Sequence, residues 1–235
     1  MAQVGVPKEG AINSPAPRLA VSVVLIRDSL NGLEVFVQHR ASTMDFAAGV
    51  VAFPGGRVDD VDSLHGQFSL DLLEKHAAAW KHTHVSAEGS EACHSASRLI
   101  AAAVREVAEE CDISLEPHSL TPWANWITPE GLPKRFDTYF FVCALAPGVE
   151  PRHVTTEASQ SHWVHVRQLL EEEAAGLHRL LPPTLTILDE LLEAGGAEHT
   201  HQKRRTIEAV QLLPENIEEF YRLRRAFRSL PDPKV

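Results

Sequence analysis

The sequence is short of cysteine. Three thiols, Cys93, Cys111 and Cys143, stand in 235 residues. That odd, small number gives no disulfide framework, and a reducing compartment is the simpler setting. Cys111 and Cys143 lie among apolar neighbours, as small buried hydrophobes do. No run of about eighteen apolar residues occurs, so no stretch reads as a membrane-spanning helix. Positive charge is also scarce. The 22 Lys and Arg are outnumbered by 32 Asp and Glu, a formal charge of −10. This excludes nucleic-acid binding through a broad basic footprint. A small basic patch, Lys203-Arg204-Arg205, is followed by Glu215, Glu218 and Glu219. Acidity still leaves room for a small anionic substrate, because a bound divalent cation inverts the local field. The first residues lack the charged-then-apolar pattern of a secretory leader. The last, Pro233-Lys234-Val235, differ from the peroxisomal Ser-Lys-Leu address. The expected location is cytoplasmic, with no membrane partner.

What is present fits one domain with extensions. Residues 1–17 read as a flexible tail and 18–235 as a single domain. Leu19 to Arg27 is rich in β-branched residues and predicts a strand. Asn31-Gly32 predicts the hairpin turn into a return strand, Leu33 to Gln38. Val50 to Phe53 predicts a short strand, stopped by Pro54-Gly55-Gly56. Leu70 to Trp80 predicts a helix, with Leu70, Leu73, Ala77 and Trp80 on its apolar face. Glu91 to Cys111 predicts the longest central helix, buried along Ile100, Ala103, Val104, Val107 and Cys111. Strands follow at Ala124–Thr128, Phe136–Leu145 and Ser161–Val166. Helices follow at Arg167–Ala175, Pro183–Glu193 and Asn216–Phe227. Interleaving of this kind predicts an α/β or α+β class with a layered core.

Glu106, Glu109 and Glu110 share one stripe of the central helix, at spacings of three and four residues. Like charges so placed repel, and a divalent cation would reverse that cost. Mg²⁺ prefers oxygen ligands and keeps positions for water and substrate phosphate. Arg105 beside them offers a planar fork of donors. Taken alone, such a stripe is usually a solvated acidic face. Its meaning depends on what precedes it.

Upstream stands Phe53-Pro54-Gly55-Gly56-Arg57-Val58-Asp59-Asp60-Val61-Asp62. With Ala102 to Ile113, including Arg105-Glu106-Val107-Ala108-Glu109-Glu110, it resembles the box of the Nudix hydrolase family. Gly56 and Asp62 match the opening glycine and acidic residue, with Asp for Glu. Asp112 replaces the glycine that usually ends the helix. Asp62 and Arg105 are separated by 42 residues where the family has seven, so residues 63–93 read as a helical insertion splitting the box. That length leaves the part played by Asp62 open. The split is similar to one in the coenzyme A diphosphatase-like branch. So are Gln38-His39-Arg40, Trp123-Ala124-Asn125-Trp126-Ile127-Thr128-Pro129 and Arg135-Phe136-Asp137-Thr138-Tyr139-Phe140-Phe141. Val50 departs from the glutamate that coenzyme A-type members carry.

The resemblance implies an α/β/α sandwich around a mixed sheet, with residues 176–235 as a helical C-terminal extension. It implies hydrolysis of a diphosphate bond with Mg²⁺ or Mn²⁺. Glu106, Glu109 and Glu110 would be ligands, with a backbone carbonyl at Gly56. Glu109 or the later Glu157 would act as base, and Arg105 would orient the carboxylates. Arg40, Arg57 and Arg135 are candidates for substrate phosphates. Phe46, Trp123 and Trp126 are candidates to stack on a base. The substrate would be a nucleoside diphosphate joined to another group, with coenzyme A or acyl-coenzyme A leading. ADP-ribose, a nucleotide sugar or a dinucleoside polyphosphate is the alternative, as is a non-catalytic regulatory domain that binds a nucleotide. The insertion and C-terminal helices offer a homodimer surface. His82-Thr83-His84 and His199-Thr200-His201 look like metal pairs, but they lack partners at zinc spacing.

Overall fold

The computed structural model describes residues 14–41, 49–63, 68–85, 89–200 and 206–228. Thirteen elements organise them. In chain order they are β1 (Arg18–Ser29), β2 (Gly32–Arg40), β3 (Val51–Ala52), α1 (Leu70–Ala79), α2 (Ser90–Cys111), β4 (Thr121–Ile127), β5 (Phe136–Ala144), β6 (Ala158–His165), α3 (Val166–Ala174), α4 (Pro182–Ala194), α5 (Ala197–Thr200), β7 (Ala209–Gln211) and α6 (Asn216–Arg228).

The strands form one mixed sheet in the order β3-β2-β1-β5-β4-β7, with β6 also paired to β2. β1 runs parallel to β5 and antiparallel to β2. Its sequence is almost continuously apolar because both faces are covered. Alternate residues point to opposite sides. Val21, Val23 and Leu25 meet Tyr139, Phe141 and Cys143 under α1 and α2. Val24 and Ile26 meet Phe140 and Val142 under α3 and α4. The result is an α/β/α sandwich around a mixed sheet, as expected.

β2 touches β1 only through the four pairs from Ile26↔Val35 to Ser29↔Gly32. Beyond that point the extended segment 54–58 takes its place beside β1. Val23 N–H donates to Pro54 O (2.8 Å), Val21 N–H to Gly56 O (2.9 Å) and Val58 N–H to Leu19 O (3.0 Å). The glycine turn is thus laid along the middle of the sheet.

Several details differ from the sequence reading. The hairpin turn is Leu30-Asn31, and Gly32 already pairs with Ser29. The buried face of α1 runs through Leu72, His76 and Trp80, while Leu70 is exposed. A histidine in the core defeated the apolar pattern there. α5 and β7 were not anticipated, since each is too short to show a period. α4 is core rather than extension, with Leu185, Ile187, Leu188 and Leu191 fully buried. The end of the N-terminal tail is docked: Ser14 Oγ accepts from Gly131 N–H and Pro15 O from Arg135. No helix among the described residues is long and apolar enough to cross a membrane.

Candidate active site

α2 lies on the sheet along Leu99, Ala103, Val107 and Cys111. Glu106 and Glu110 sit one residue to the side of Val107 and Cys111, at the edge of the buried face. Their side chains are therefore largely withdrawn from water, at 12% exposure for Glu106, while that of Glu109 is 60% exposed. Glu110, at 6%, ranks among the buried charged residues.

The glycine turn meets this flank. Gly55 has φ +149°, and a Cβ there would lie 2.3 Å from Val21 O. Its N–H donates to Glu110 Oε2 at 2.9 Å. A Cβ on Gly56 would stand 2.5–2.6 Å from the Glu106 carboxylate atoms. Glycine is required at both positions for contact, at the first with backbone and at the second with a carboxylate.

Arg105 braces the group. Its Nε donates to Asp62 Oδ1 (2.9 Å) and its Nη2 to Asp62 Oδ2 (3.0 Å) and Arg57 O (3.0 Å). Its Nη1 reaches Glu106 Oε1 (2.8 Å) and Glu109 Oε2 (3.3 Å). The bond to Asp62 and the neighbouring Glu106 hold the guanidinium firmly protonated. Asp62 is buried and also accepts from Asp59 N–H. The stretch between the two halves of the sequence motif carries α1, which packs beside α2 through Leu72 and Trp80, and Asp62 and Arg105 join across it. The two halves therefore meet in space.

Glu157 completes the arrangement. Its carbonyl accepts from Ala41 N–H (2.9 Å), tying the start of β6 to the end of β2. The preceding residues dock on the C-terminus of α2, with Arg152 N–H donating to Cys111 O (2.8 Å) and Val154 N–H to Glu110 O (3.4 Å). The charge on Glu157 is felt at both Glu106 and Glu110. Burial pushes the Glu110 carboxyl up to about 7. Glu106 and Glu157 add to this, and the Gly55 N–H and the Gln38 amide oppose it. Burial raises Glu106 as well, with Arg105 opposing and the charges of Glu109 and Glu157 adding.

Among the described residues, no three carboxylate, imidazole or thiol groups already converge on a common centre. The donor set nevertheless suits a hard cation. Two buried carboxylates with raised affinity for a proton feel the charge of a third, Glu157, and Arg105 is the cation bonded directly to one of them. Oxygen donors of this kind match Mg²⁺ or Mn²⁺.

The other candidates divide. Arg57 is exposed beside the turn, and its carbonyl accepts from Arg105. Arg40 ends β2, and its Nε is buried without a hydrogen-bond partner among the described residues. Arg135 is a correction. It is buried, and its guanidinium is engaged by Thr128 O (3.0 Å) and Pro15 O (3.1 Å), a structural tie. Trp123 is core, with its indole N–H on Glu190 of α4 at 2.7 Å. Trp126 packs against the core on the α3–α4 side, the sheet face opposite α2. Phe46, His201 and Lys203-Arg204-Arg205 lie outside the described residues. His84 Nδ1 stands 3.4 Å from Asp137 Oδ2.

Sequence reasoning missed the docking of residues 152–154 and the contact of Gln38 with Glu110. It also missed a ring cluster on β2, β6 and the α3–α4 loop, where His39 lies 5.1 Å from His162 and 5.0 Å from His178. One signal was available. Asp112, standing where the motif has glycine, adopts φ 54° and ψ 36° and pairs with Arg152.

No family model matches the chain. A curated Caenorhabditis elegans protein, "Putative nudix hydrolase 7", is 26% identical over 181 residues, or 74% of this chain. The chain spans 60% of that relative's length. The crystal structure of a NUDIX hydrolase from Alicyclobacillus acidocaldarius superposes with a TM-score of 0.62 at 27% identity, covering 81% of this chain and 98% of that one. With its mixed sheet and a carboxylate stripe against a double-glycine turn, the chain is thus similar to Nudix hydrolases in both sequence and fold.

Proposed function

We propose that the chain hydrolyses the diphosphate bond of a nucleoside diphosphate joined to a second group, with Mg²⁺ or Mn²⁺ as cofactor. The observation that carries this is the juxtaposition of Glu106 and Glu110 with Gly55 and Gly56, and of Glu157 with both glutamates. Glu106 and Glu110 would hold the cation, with Glu109 at the outer edge; the Gly56 carbonyl, expected as a further ligand, is instead bonded to Val21 N–H. When bound, a divalent cation neutralises phosphate oxygens and acidifies a coordinated water.

The chain's own residues do the rest. Arg105, fixed by Asp62, holds Glu106 and Glu109 in place. Gly55 N–H holds one oxygen of Glu110. Glu157, exposed on the approach to β6, takes the proton from the attacking water. Arg57, just past the turn, and Arg40, at the end of β2, meet the phosphates. Water adds to one phosphorus, the bridging oxygen leaves on the other phosphate, and the proton passes to the Glu157 carboxylate.

Coenzyme A or an acyl-coenzyme A is the leading substrate, on the segments Gln38-His39-Arg40, Trp123 to Pro129 and Arg135 to Phe141. ADP-ribose, a nucleotide sugar and a dinucleoside polyphosphate form the second class. The test is a substrate panel with Mg²⁺ and with Mn²⁺, products separated by chromatography, run beside Glu110→Gln. Coenzyme A would yield a 3′,5′-phosphoadenosine product and a phosphopantetheine product. Unchanged turnover in a folded Glu110→Gln protein would remove the metal role.

A further inference from the structure

We propose that Asp112 and Arg152 form a latch that positions Glu157 opposite Glu106 and Glu110. This rests on the reading of Glu157 as the base. A helix leaves its last carbonyls without intrahelical partners. Here two of them, Glu110 O and Cys111 O, accept from Val154 and Arg152 of the segment leading to β6. The helix that carries the glutamates therefore also carries the segment that ends in Glu157.

A side-chain pair reinforces this contact. Asp112 caps α2 in the left-handed conformation, at φ 54° and ψ 36°, where glycine is the least strained residue. Among the described non-glycine residues, Asp112 alone has positive φ. Glycine would satisfy the backbone. It could not supply a carboxylate, and the Asp112 carboxylate pairs with the Arg152 guanidinium. Arg152 thus meets the helix end twice, through its N–H on Cys111 O and its side chain on Asp112. From Val154 to Glu157 only two residues intervene, and the Glu157 carbonyl is fixed on Ala41 N–H. The segment is pinned at both ends, and Asp112 and Arg152 act as positioning residues through Glu157.

The pair is exposed, so its effect is modest, roughly two- to fivefold in an equilibrium or rate. Four variants separate the latch from a general structural role: Asp112→Gly, Arg152→Ala, the double variant and Arg152→Lys. Asp112→Gly keeps the left-handed cap, so the fold is retained. Two quantities are read. One is hydrogen exchange at the amides of Arg152 and Val154. The other is kcat and KM on the best substrate of the panel. Asp112→Gly and Arg152→Ala should each speed exchange about two- to fivefold and lower kcat by a similar factor, with KM unchanged. The double variant should be no worse than either single change, and Arg152→Lys should stay near the parent.

Unchanged exchange, faster exchange with unmoved kcat, or effects that multiply in the double variant would each overturn the latch. A parent chain that turns over no diphosphate fails the catalytic reading instead, while the exchange measurement still decides whether the latch holds the segment.

Discussion

Asp62 and Arg105, 43 positions apart in the chain, face each other through two parallel N–H···O bonds of 2.9 and 3.0 Å. Asp62 is almost wholly buried, and Arg105 is the cation that balances it. Breaking a buried pair by removing one partner costs about 3–5 kcal/mol. Asp62→Ala should therefore lower unfolding stability by about 2–4 kcal/mol, measured by urea denaturation. Arg105→Lys keeps the charge but loses the fork. It should bind the cation more weakly with a smaller loss of stability, read by titration with Mn²⁺.

The glycine turn gives two contrasting outcomes. Gly55→Ala drives a Cβ into Val21 O at φ +149°. Backbone cannot yield as a side chain does, and a loss of about 3 kcal/mol or more is expected. Gly56→Ala meets only the end of Glu106, which can swing away. That variant should melt within a few degrees of the parent and lose roughly tenfold or more in activity, since a ligand is displaced. Equal stability losses in the two would contradict this account.

Without a cation, burial holds the Glu110 carboxyl at about 7, above its unfolded value of 4.5. A carboxyl raised in the fold adds stability that is complete below the unfolded pKa and is lost as pH rises through the folded one. Chelator-treated protein should therefore lose stability between pH 4.5 and 7.5. Glu110→Gln should exceed the parent by on the order of 2 kcal/mol at pH 8. Near pH 4.5 the gap should close. Thermal melts across this range decide it.

His76 works in the other direction. It is fully buried in α1 against Phe141, and burial pushes its imidazole down to about 4. A histidine kept neutral in the fold stabilises above its unfolded pKa of 6.5, and that contribution fades as pH falls from there toward 4. His76→Leu should flatten the acid limb of the stability curve in this window. An acid limb unchanged by the substitution would assign the loss to other groups.

Arg135 and Arg57 separate structure from binding. Arg135→Ala frees Thr128 O and Pro15 O and should cost about 1–3 kcal/mol with KM unmoved. Arg57→Ala should raise KM with stability unchanged. The opposite pattern, in melts and steady-state kinetics, would return Arg135 to the site.

Much of this fold is legible in the sequence. α2, read as Glu91 to Cys111, spans Ser90–Cys111, because 22 residues give a period time to declare itself. β1 and β5 were visible because a strand covered on both faces is nearly all apolar. The carboxylate stripe is legible from spacing, while its connection to the glycine turn comes from the resemblance to a known motif. What was not legible depended on single contacts. Forty-two residues intervene between Asp62 and Arg105, and only folding brings the two together. β7 has three residues and borrows its register from β4. The core face of α1 was misjudged because a neutral buried imidazole counts as polar in any pattern. Trp126 and Arg135 were plausible ligands by residue type, but their surroundings had already engaged them.

The tail of α1 and the approach to β7 are stitched together. Ile207 N–H donates to Ala79 O at 3.0 Å, and His82 bridges to Glu208. β7 then covers the outer margin of β4. Shortening the chain before residue 206 would strip that cover and leave a row of unsatisfied amides and carbonyls beside Trp126, a template on which a neighbouring molecule can add its own strand. Such a product should express as aggregate even though every acidic and glycine position discussed for chemistry survives in it.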